Sequence, residues 1–311
     1  MVIKMGFINK GIKLVFNKRY RTIVLANKGF FNYLDDEKFL KKLFYAHFNS
    51  KLNLNNPSTY NEKIQWLKLY NRKPEYTSYV DKYRVREYVK EKIGEKYLIP
   101  LLGVWESPEE IDFELLPNQF VLKCNHNSGL GMCICTDKGK LDIKKTIEEL
   151  NKGLQQDYYL LRREWPYKNV EKKIIAEKYL VDESGYELKD YKFYCFNGEV
   201  KMMMINSDRM SDKPTKGDYF DNTFSHLNFK WGMSNSEILP QKPEGFDKMI
   251  ELAEILAEGI THVRIDFYHT PNNIYFGEMT FFDGSGFDPI EPLEWDYKLG
   301  SWITLPPKSL L

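Results

Sequence analysis

No apolar run in the 311-residue chain approaches the ~20 residues that a membrane-spanning helix needs. No secretory leader pattern is visible either, so a cytoplasmic setting is expected. Cysteine is scarce: Cys124, Cys133, Cys135 and Cys195, with no C-x-x-C pair. That argues against a zinc site and for reduced thiols. Neither a Walker A motif nor a Rossmann fingerprint occurs, and no Ser-His-Asp set is convincing. Net charge is +1, which gives no polyanion signature, so nucleic acid is not an expected partner. Acids are missing from the first 31 residues, which carry Lys4, Lys10, Lys13, Lys18, Arg19, Arg21 and Lys28 among apolar residues. Such a segment can lie peripherally on an anionic membrane surface, and it equally fits an ordinary solvated helix.

The chain has enough length for two domains and a buried core. Residues 35–97 read as mostly helical. Thr59 and Glu62 form a capping-box pattern ahead of IQWLKLY, and Asp81 opens a further helix that ends near Gly94. After Pro100 the pattern turns to short strands. LIPLLGVW, KKIIAEKYL and the two arms of NQFVLKCNHNSGLGMCICTD are strand-like. LDIKKTIEELNKGLQQDYYLL reads as one helix. DYKFYCFNGEVKMMMINS reads as a hairpin turning at Asn197-Gly198. Residues 211–245 read as loop-rich, and FDKMIELAEILAEGI as an amphipathic helix. This order lacks regular βαβ alternation and predicts an α+β fold.

Two places carry chemistry. Lys123 ends a strand, and the loop Asn125-His126-Asn127-Ser128-Gly129-Leu130-Gly131 follows at once. Glycines let backbone N–H groups approach phosphate oxygens, and a lysine adds a point charge. Alone, such a loop is more often structural. The second place is VRIDFYHTPNNIYFGEMTFFDGSGF, a hairpin with an acid in each strand. A three-residue loop Pro271-Asn272-Asn273 pairs 270 with 274, 266 with 278 and 264 with 280. Asp266 then opposes Glu278, with Arg264 and Thr280 alongside. A four-residue loop would put the acids on opposite faces. Facing carboxylates repel unless a proton or a cation lies between them.

Together, NPSTYNEKIQWLKLYNR, DKYRVREYVKEKIGEKYLIPLLGVW, FVLKCNHNSG, EKYL, DYKFYCFNG, RIDFY and FGEMTF resemble the TupA-like branch of the ATP-grasp superfamily, over about residues 50–295. That branch is associated with teichuronopeptide and other surface-polysaccharide biosynthesis. The resemblance implies an ATP-grasp fold, with a first lobe 76–175 carrying the phosphate loop and a second lobe 176–311 carrying the adenine hinge and metal hairpin, whereas the basic region 1–75 reads as mainly helical and lacks the strand–helix alternation that precedes many such folds. It implies that Lys82 and Lys123 bind ATP phosphates together with Asn125, His126, Asn127, Ser128 and Gly129. Glu177, Lys178, Tyr179 and Leu180 would form the adenine hinge, and Asp182 would meet the ribose. Asp266 and Glu278 would hold Mg²⁺, or Mn²⁺, with Thr280 where related ligases have asparagine. Arg264 would steady an acyl-phosphate, and Lys192, or Arg209, would contact the substrate. The DGSGF stretch would supply backbone donors or form a tight turn.

The activity so implied is an ATP-dependent carboxylate–amine (or carboxylate–thiol) ligase, ADP-forming. Its partners would be a carboxylate-bearing sugar or polysaccharide intermediate and an amine or amino-acid acceptor. Two alternatives stand beside it. One is a glycosyltransferase, for which Asp35-Asp36 is the single adjacent aspartate pair. The other is a non-catalytic nucleotide-binding protein, which Thr280 favours.

Overall fold

The computed structural model, described over residues 13–185, 188–207 and 214–309, begins with helices and continues with antiparallel sheets. Helices α1 (Lys18–Asn27), α2 (Asp36–Phe48), α3 (Tyr60–Tyr70), α4 (Glu75–Val80) and α5 (Val85–Lys92) come before the first strand. α3 starts where the capping box predicts. Thr59 Oγ1 accepts from the Glu62 N–H at 3.2 Å, and the Glu62 carboxylate accepts from the Thr59 N–H at 3.3 Å. A cap of this kind contributes about 1 kcal/mol.

The first sheet has four antiparallel strands in the order β1 (Leu101–Trp105), β4 (Ile174–Lys178), β2 (Phe120–Cys124) and β3 (Met132–Cys135). Its own apolar cluster includes Phe113, Phe120, Leu122, Leu150 and Ile174. Helix α6 (Ile143–Gln155) packs on it. The expected single helix over LDIKK to DYYLL is broken, because residues 156 and 157 are extended before α7 (Tyr158–Arg162) begins. The loop after β2 explains the break. Asn127 Nδ2 donates to the Gly153 carbonyl (3.2 Å), and His126 Nε2 lies 3.2 Å from the Gln156 carbonyl. Side chains of that loop therefore take carbonyls that a continuing helix would have used.

The larger sheet has six strands: β11 (Asn273–Thr280), β10 (His262–Thr270), β5 (Asp190–Phe196), β6 (Glu199–Ser207), β7 (Lys216–Asp221) and β8 (His226–Leu227), in that order. β9 (Lys230–Trp231) pairs separately with β12 (Ile290–Glu291). The strands β7 to β9 lie in the stretch expected to be loop. Tyr219 and Phe220 are buried there, and the buried Asp218 beside them hides the alternation. The β5–β6 hairpin turns at Asn197-Gly198, both with positive φ (52° and 88°), as a type I′ turn requires. Helix α8 (Phe246–Leu256) covers one face of this sheet, with Phe246 against Phe193. The helices before residue 75 share that core: Phe39, Leu40, Tyr60 and Ile64 belong to the same apolar cluster as Phe193, Ile265 and Phe267. β4, which begins just before residue 175, is an inner strand of the smaller sheet.

Candidate active site

The β10–β11 hairpin confirms the pairing that matters and corrects the route to it. Asp266 faces Glu278 and Arg264 faces Thr280, but Thr270 pairs with Asn273 rather than with residue 274. The loop is therefore two residues, Pro271 and Asn272. The missing residue is recovered by a β-bulge, because Phe267 pairs with Phe276 while Asp266 pairs with Glu278. Gly277 is the extra residue. A Cβ placed there would lie 3.1 Å from the Asp266 carbonyl oxygen and 3.1 Å from the Tyr268 ring, so a side chain has little room.

Register then assembles one polar face from three strands. β5 pairs with β10 so that Lys192 opposes Asp266, Tyr194 opposes Arg264 and Asp190 opposes Tyr268. The opposite face, with Val263, Ile265 and Phe267, is wholly buried in the core. Arg264 forks onto Asp266, with Nε to Oδ1 at 2.7 Å and Nη2 to Oδ2 at 2.8 Å. Its Nη2 also donates to Glu278 Oε1 (2.8 Å), and its Nη1 donates to Asp283. Lys192 Nζ donates to Asp266 Oδ2 (2.7 Å) and Asp190 Oδ2 (3.1 Å). Thr280 Oγ1 donates to Glu278 Oε1 at 3.1 Å, so the residue in the asparagine position touches the glutamate directly. The repulsion between the facing acids is thus answered by Arg264 and Lys192. Burial pushes the Glu278 carboxyl up, but Lys82, Arg264 and Lys192 overcome it and hold it at about 2. Glu278 keeps 33% of its side chain exposed, whereas Asp266 is buried.

Lys82 joins this face to the glycine loop. Its Nζ donates to the Asn127 carbonyl (2.6 Å) and stands 3.9 Å from Glu278 Oε2. Burial pushes its ammonium pKa down, and Glu278 opposes that push. Asp81, beside it, accepts from the Tyr83 N–H (2.9 Å) and from Asn125 Nδ2 (2.8 Å), which fixes the start of α5 against the loop. Asn125 also donates to the Glu171 carbonyl and accepts from the Lys173 N–H, each at 2.8 Å. The side chains of Asn125, His126 and Asn127 therefore hold the loop to the scaffold. Burial, helped by Lys172, lowers the His126 pKa to about 4, so its ring is neutral at pH 7. Ser128 and Gly129 form the exposed tip. At the loop's end Gly131, with φ 69°, lies so close to α6 that an added Cβ would sit 2.7 Å from Gly153 Cα.

On the smaller sheet Lys123 pairs with Glu177 at 2.6 Å, and Arg86 reaches the same carboxylate at 3.5 Å. Lys178, on the alternate face of β4, is exposed, and Tyr179 and Leu180 are half-buried. Asp182 is buried, accepting from the Ser184 N–H (2.8 Å) and from Lys189 Nζ (3.1 Å), so it closes its own turn. Arg209 lies outside the described residues. A cavity of about 750 Å³ beside Arg86 is lined by Tyr83, Lys96, Pro100, Leu101 and Tyr275, next to the Lys123–Glu177 pair.

Two residues escaped the sequence reading. Asp283 accepts from both Arg264 and Tyr194 (Tyr194 Oη at 2.7 Å), and Arg86 reaches the Glu177 carboxylate. The spacing of Asp190 and Lys192 on one strand face was the signal for the third strand of the network. The donor set of two carboxylates and a hydroxyl suits Mg²⁺, which commonly takes one or two carboxylates and completes its shell with water and phosphate oxygens. Among the described residues there is no group of three or more His, Cys, Asp or Glu that could hold a metal ion.

A sheet that carries a lysine and a glycine loop thus stands against an acidic hairpin, and Lys82 touches both. The chain belongs to the TupA-like ATP-grasp family, whose sequence model matches residues 62–304. No curated protein matches it. Solved structures that resemble it include D-alanine–D-alanine ligase from Bacillus anthracis complexed with ATP, at 14% identity and TM-score 0.39, covering 66% of this chain and 54% of that one. The D-alanine–D-alanine ligase of Helicobacter pylori matches at 13% identity and TM-score 0.41, covering 73% and 61%. The ATP-grasp ligase PsnB complexed with minimal precursor, Mg and ADP matches at 12% identity and TM-score 0.37, covering 71% and 57%. The chain thus spans a little over half the length of these solved relatives.

Proposed function

We propose that the protein is an ATP-dependent, ADP-forming carboxylate–amine ligase acting on a uronic acid or other component of a bacterial surface polysaccharide. The observation that carries this reading is Lys82, which ties the glycine loop to the Asp266–Glu278–Arg264 network. Phosphoryl transfer from ATP to a carboxylate needs cations around the moving group and a site closed to water. Lys82 and Lys123 would neutralise the phosphates, and the Ser128-Gly129 tip, exposed and untied, would close over them. Glu177, Lys178, Tyr179 and Leu180 would line the adenine, and Asp182 would brace the ribose end of the hinge. Arg264 would hold the acyl oxygen, and Lys192 would keep Asp266 ionised. Mg²⁺ held by Asp266 and Glu278 with Thr280, or Mn²⁺ in its place, would supply further charge neutralisation. An amine, or a thiol, then displaces phosphate from the activated acyl group.

The test is Mg²⁺-dependent release of ADP and phosphate that requires both a carboxylate and an amine. UDP release from a sugar nucleotide would overturn it. The glycosyltransferase reading also loses its acid pair. Asp35 caps α2 by accepting from the Lys38 N–H (2.8 Å), and Asp36 binds Arg72 (2.7 Å) and Tyr159. One observation does favour a nucleotide-binding protein without turnover, namely that both Asp266 oxygens are already engaged by Arg264 and Lys192. ATP binding without turnover for any substrate pair would establish it.

A cytoplasmic protein touching the membrane peripherally is part of the same reading. Among the described residues no helix is long and apolar enough to cross a membrane. Val15 and Phe16 are exposed beside Lys13 and Lys18, which supports surface contact. Co-flotation with phosphatidylserine vesicles, lost in Phe16→Glu, would test that contact.

A further inference from the structure

A second cavity, of about 320 Å³, opens between the end of α1, the helix α7 and the turn after β11. Asn27, Tyr158, Leu161, Arg162, Glu164 and Ser285 line it. It is of small-molecule size, and its lining sets a few hydrogen-bonding side chains in apolar surface. It also adjoins the charged hairpin. The turn that carries Ser285 begins at Asp283, the partner of Arg264, and Tyr158 lies close enough to Glu278 and Arg264 to feel their charges.

The walls are pinned by Lys68, which has no donor left to offer. Lys68 is fully buried, and its Nζ donates to the Ser285 carbonyl (2.7 Å), the Arg162 carbonyl (3.0 Å) and Gln65 Oε1 (3.2 Å), which takes all three protons. Gln65 Nε2 holds the next carbonyl, that of Gly286, at 2.7 Å. Arg163 is buried with φ 59° and donates to the Asn32 and Leu34 carbonyls (3.1 and 3.3 Å), which fixes the α1–α2 connection. Ser285, itself at φ 54°, donates its hydroxyl to Glu164. Lys68 therefore links the Arg162 and Ser285 walls of the cavity and keeps a left-handed turn in place.

Arg162 is built differently. Among the described residues its side chain makes one hydrogen bond, from Nη1 to the Leu161 carbonyl (2.7 Å), and no carboxylate lies within ion-pair distance. A guanidinium in a cavity with most of its donors unused is arranged for a planar anion, and a carboxylate matches its fork. The other lining groups, the Tyr158 and Ser285 hydroxyls and the Asn27 amide, suit a ligand that bears hydroxyls.

Building on the ligase reading above, we propose that this cavity is the sugar-acid subsite. It takes a single uronic acid, with Arg162 on its carboxylate and Tyr158 and Asn27 on its hydroxyls. The probe is D-glucuronate, with D-glucose as the uncharged control and ADP with Mg²⁺ as a separate titration, all followed by calorimetry on the full chain. Wild type is expected to bind D-glucuronate and not D-glucose. Arg162→Met and Arg162→Gln are expected to weaken D-glucuronate at least about tenfold, the equivalent of one charge-assisted hydrogen bond, while ADP affinity stays unchanged. Unchanged ADP affinity also reports that the variants are folded. Equal binding of both sugars, equal binding by the Arg162 variants, or no D-glucuronate binding by a wild type that binds ADP would each overturn the subsite. A wild type that binds D-glucuronate but not ADP would overturn the nucleotide reading and leave the subsite standing.

Discussion

The β10–β11 hairpin and the adjoining β5 hold Asp266 between Arg264 and Lys192, with Glu278 on Arg264, on a face whose reverse is core, whereas the loop 125–131 ties down its first three side chains and leaves Ser128 and Gly129 in solvent. One region is fully engaged in its own ion pairs, and the other is anchored at three side chains with its tip in solvent. Lys82 touches both. The difference teaches which substitutions should act on stability and which on nucleotide affinity alone. A buried charge network fails when one partner is removed, because the remaining charges are left uncompensated. An exposed loop tip costs the fold little to change.

Arg264→Met should give the largest effect. It removes the one group shared by Asp266, Glu278 and Asp283. A loss of about 3–5 kcal/mol in urea unfolding is expected, together with loss of turnover. Near-wild-type stability would mean that these ion pairs do not hold the face together. Lys82→Met comes next. The ammonium bridges the two regions, so the substitution should cost both: about 1–3 kcal/mol of stability and a clear rise in the KM for ATP. An effect on only one of the two would break the link between hairpin and loop. Glu278→Gln should separate function from fold. The side chain is a third exposed and Gln keeps a partner for Arg264, so stability should fall by only about 1–2 kcal/mol while Mg²⁺-dependent turnover drops by about 100-fold or more.

How far the sequence exposes this contrast depends on which interactions are local. The Thr59 cap, the Asn197-Gly198 turn and the Asp266–Glu278 pairing follow from spacing within a few residues, and all three are present. The route to that pairing does not, because a two-residue loop with a bulge at Gly277 gives the same register as a three-residue loop without one. Only the packing of Gly277 against the Asp266 backbone distinguishes them. Long-range contacts were less legible still. The break after α6 depends on His126 and Asn127, some 26 to 30 positions earlier in the chain, reaching its last carbonyls. Asp283 meets Arg264 across 19 positions, through a turn whose left-handed φ values at Gly284 and Ser285 carry no periodic signal. Glu177 and Lys178 enter through the EKYL resemblance, which does not tell them apart, and burial separates Glu177, which faces Lys123, from Lys178, which faces solvent.

Acid offers a further way to part the two regions. His126 has its folded pKa depressed to about 4 from 6.5, so the unfolded chain binds more protons between those values. Its contribution is complete above pH 6.5 and is lost as pH falls through 4. Glu278 is depressed to about 2 from 4.5, so its contribution is complete above 4.5 and is lost only as pH falls through 2. Amide exchange at pH 4.5 should therefore show weakened protection at residues 125–131 while β10 and β11 stay protected. Simultaneous loss in both would show that the regions open as one unit.

The smallest expected effect tests the exposed end of the comparison. Ser128 is exposed and lies outside the hydrogen-bonded anchor formed by Asn125, His126 and Asn127. Ser128→Ala should leave thermal stability within about 0.5 kcal/mol of wild type, since a solvated hydroxyl contributes little to the fold. If the tip closes on phosphate, its hydroxyl becomes a donor only in the bound state, and the KM for ATP should rise about three- to tenfold with kcat nearly unchanged. The same substitution paired with Lys82→Met should be less than additive, because both groups would then act on one phosphate chain. Full additivity would place Ser128 away from the nucleotide, leaving the backbone of Gly129 to do the work of the loop.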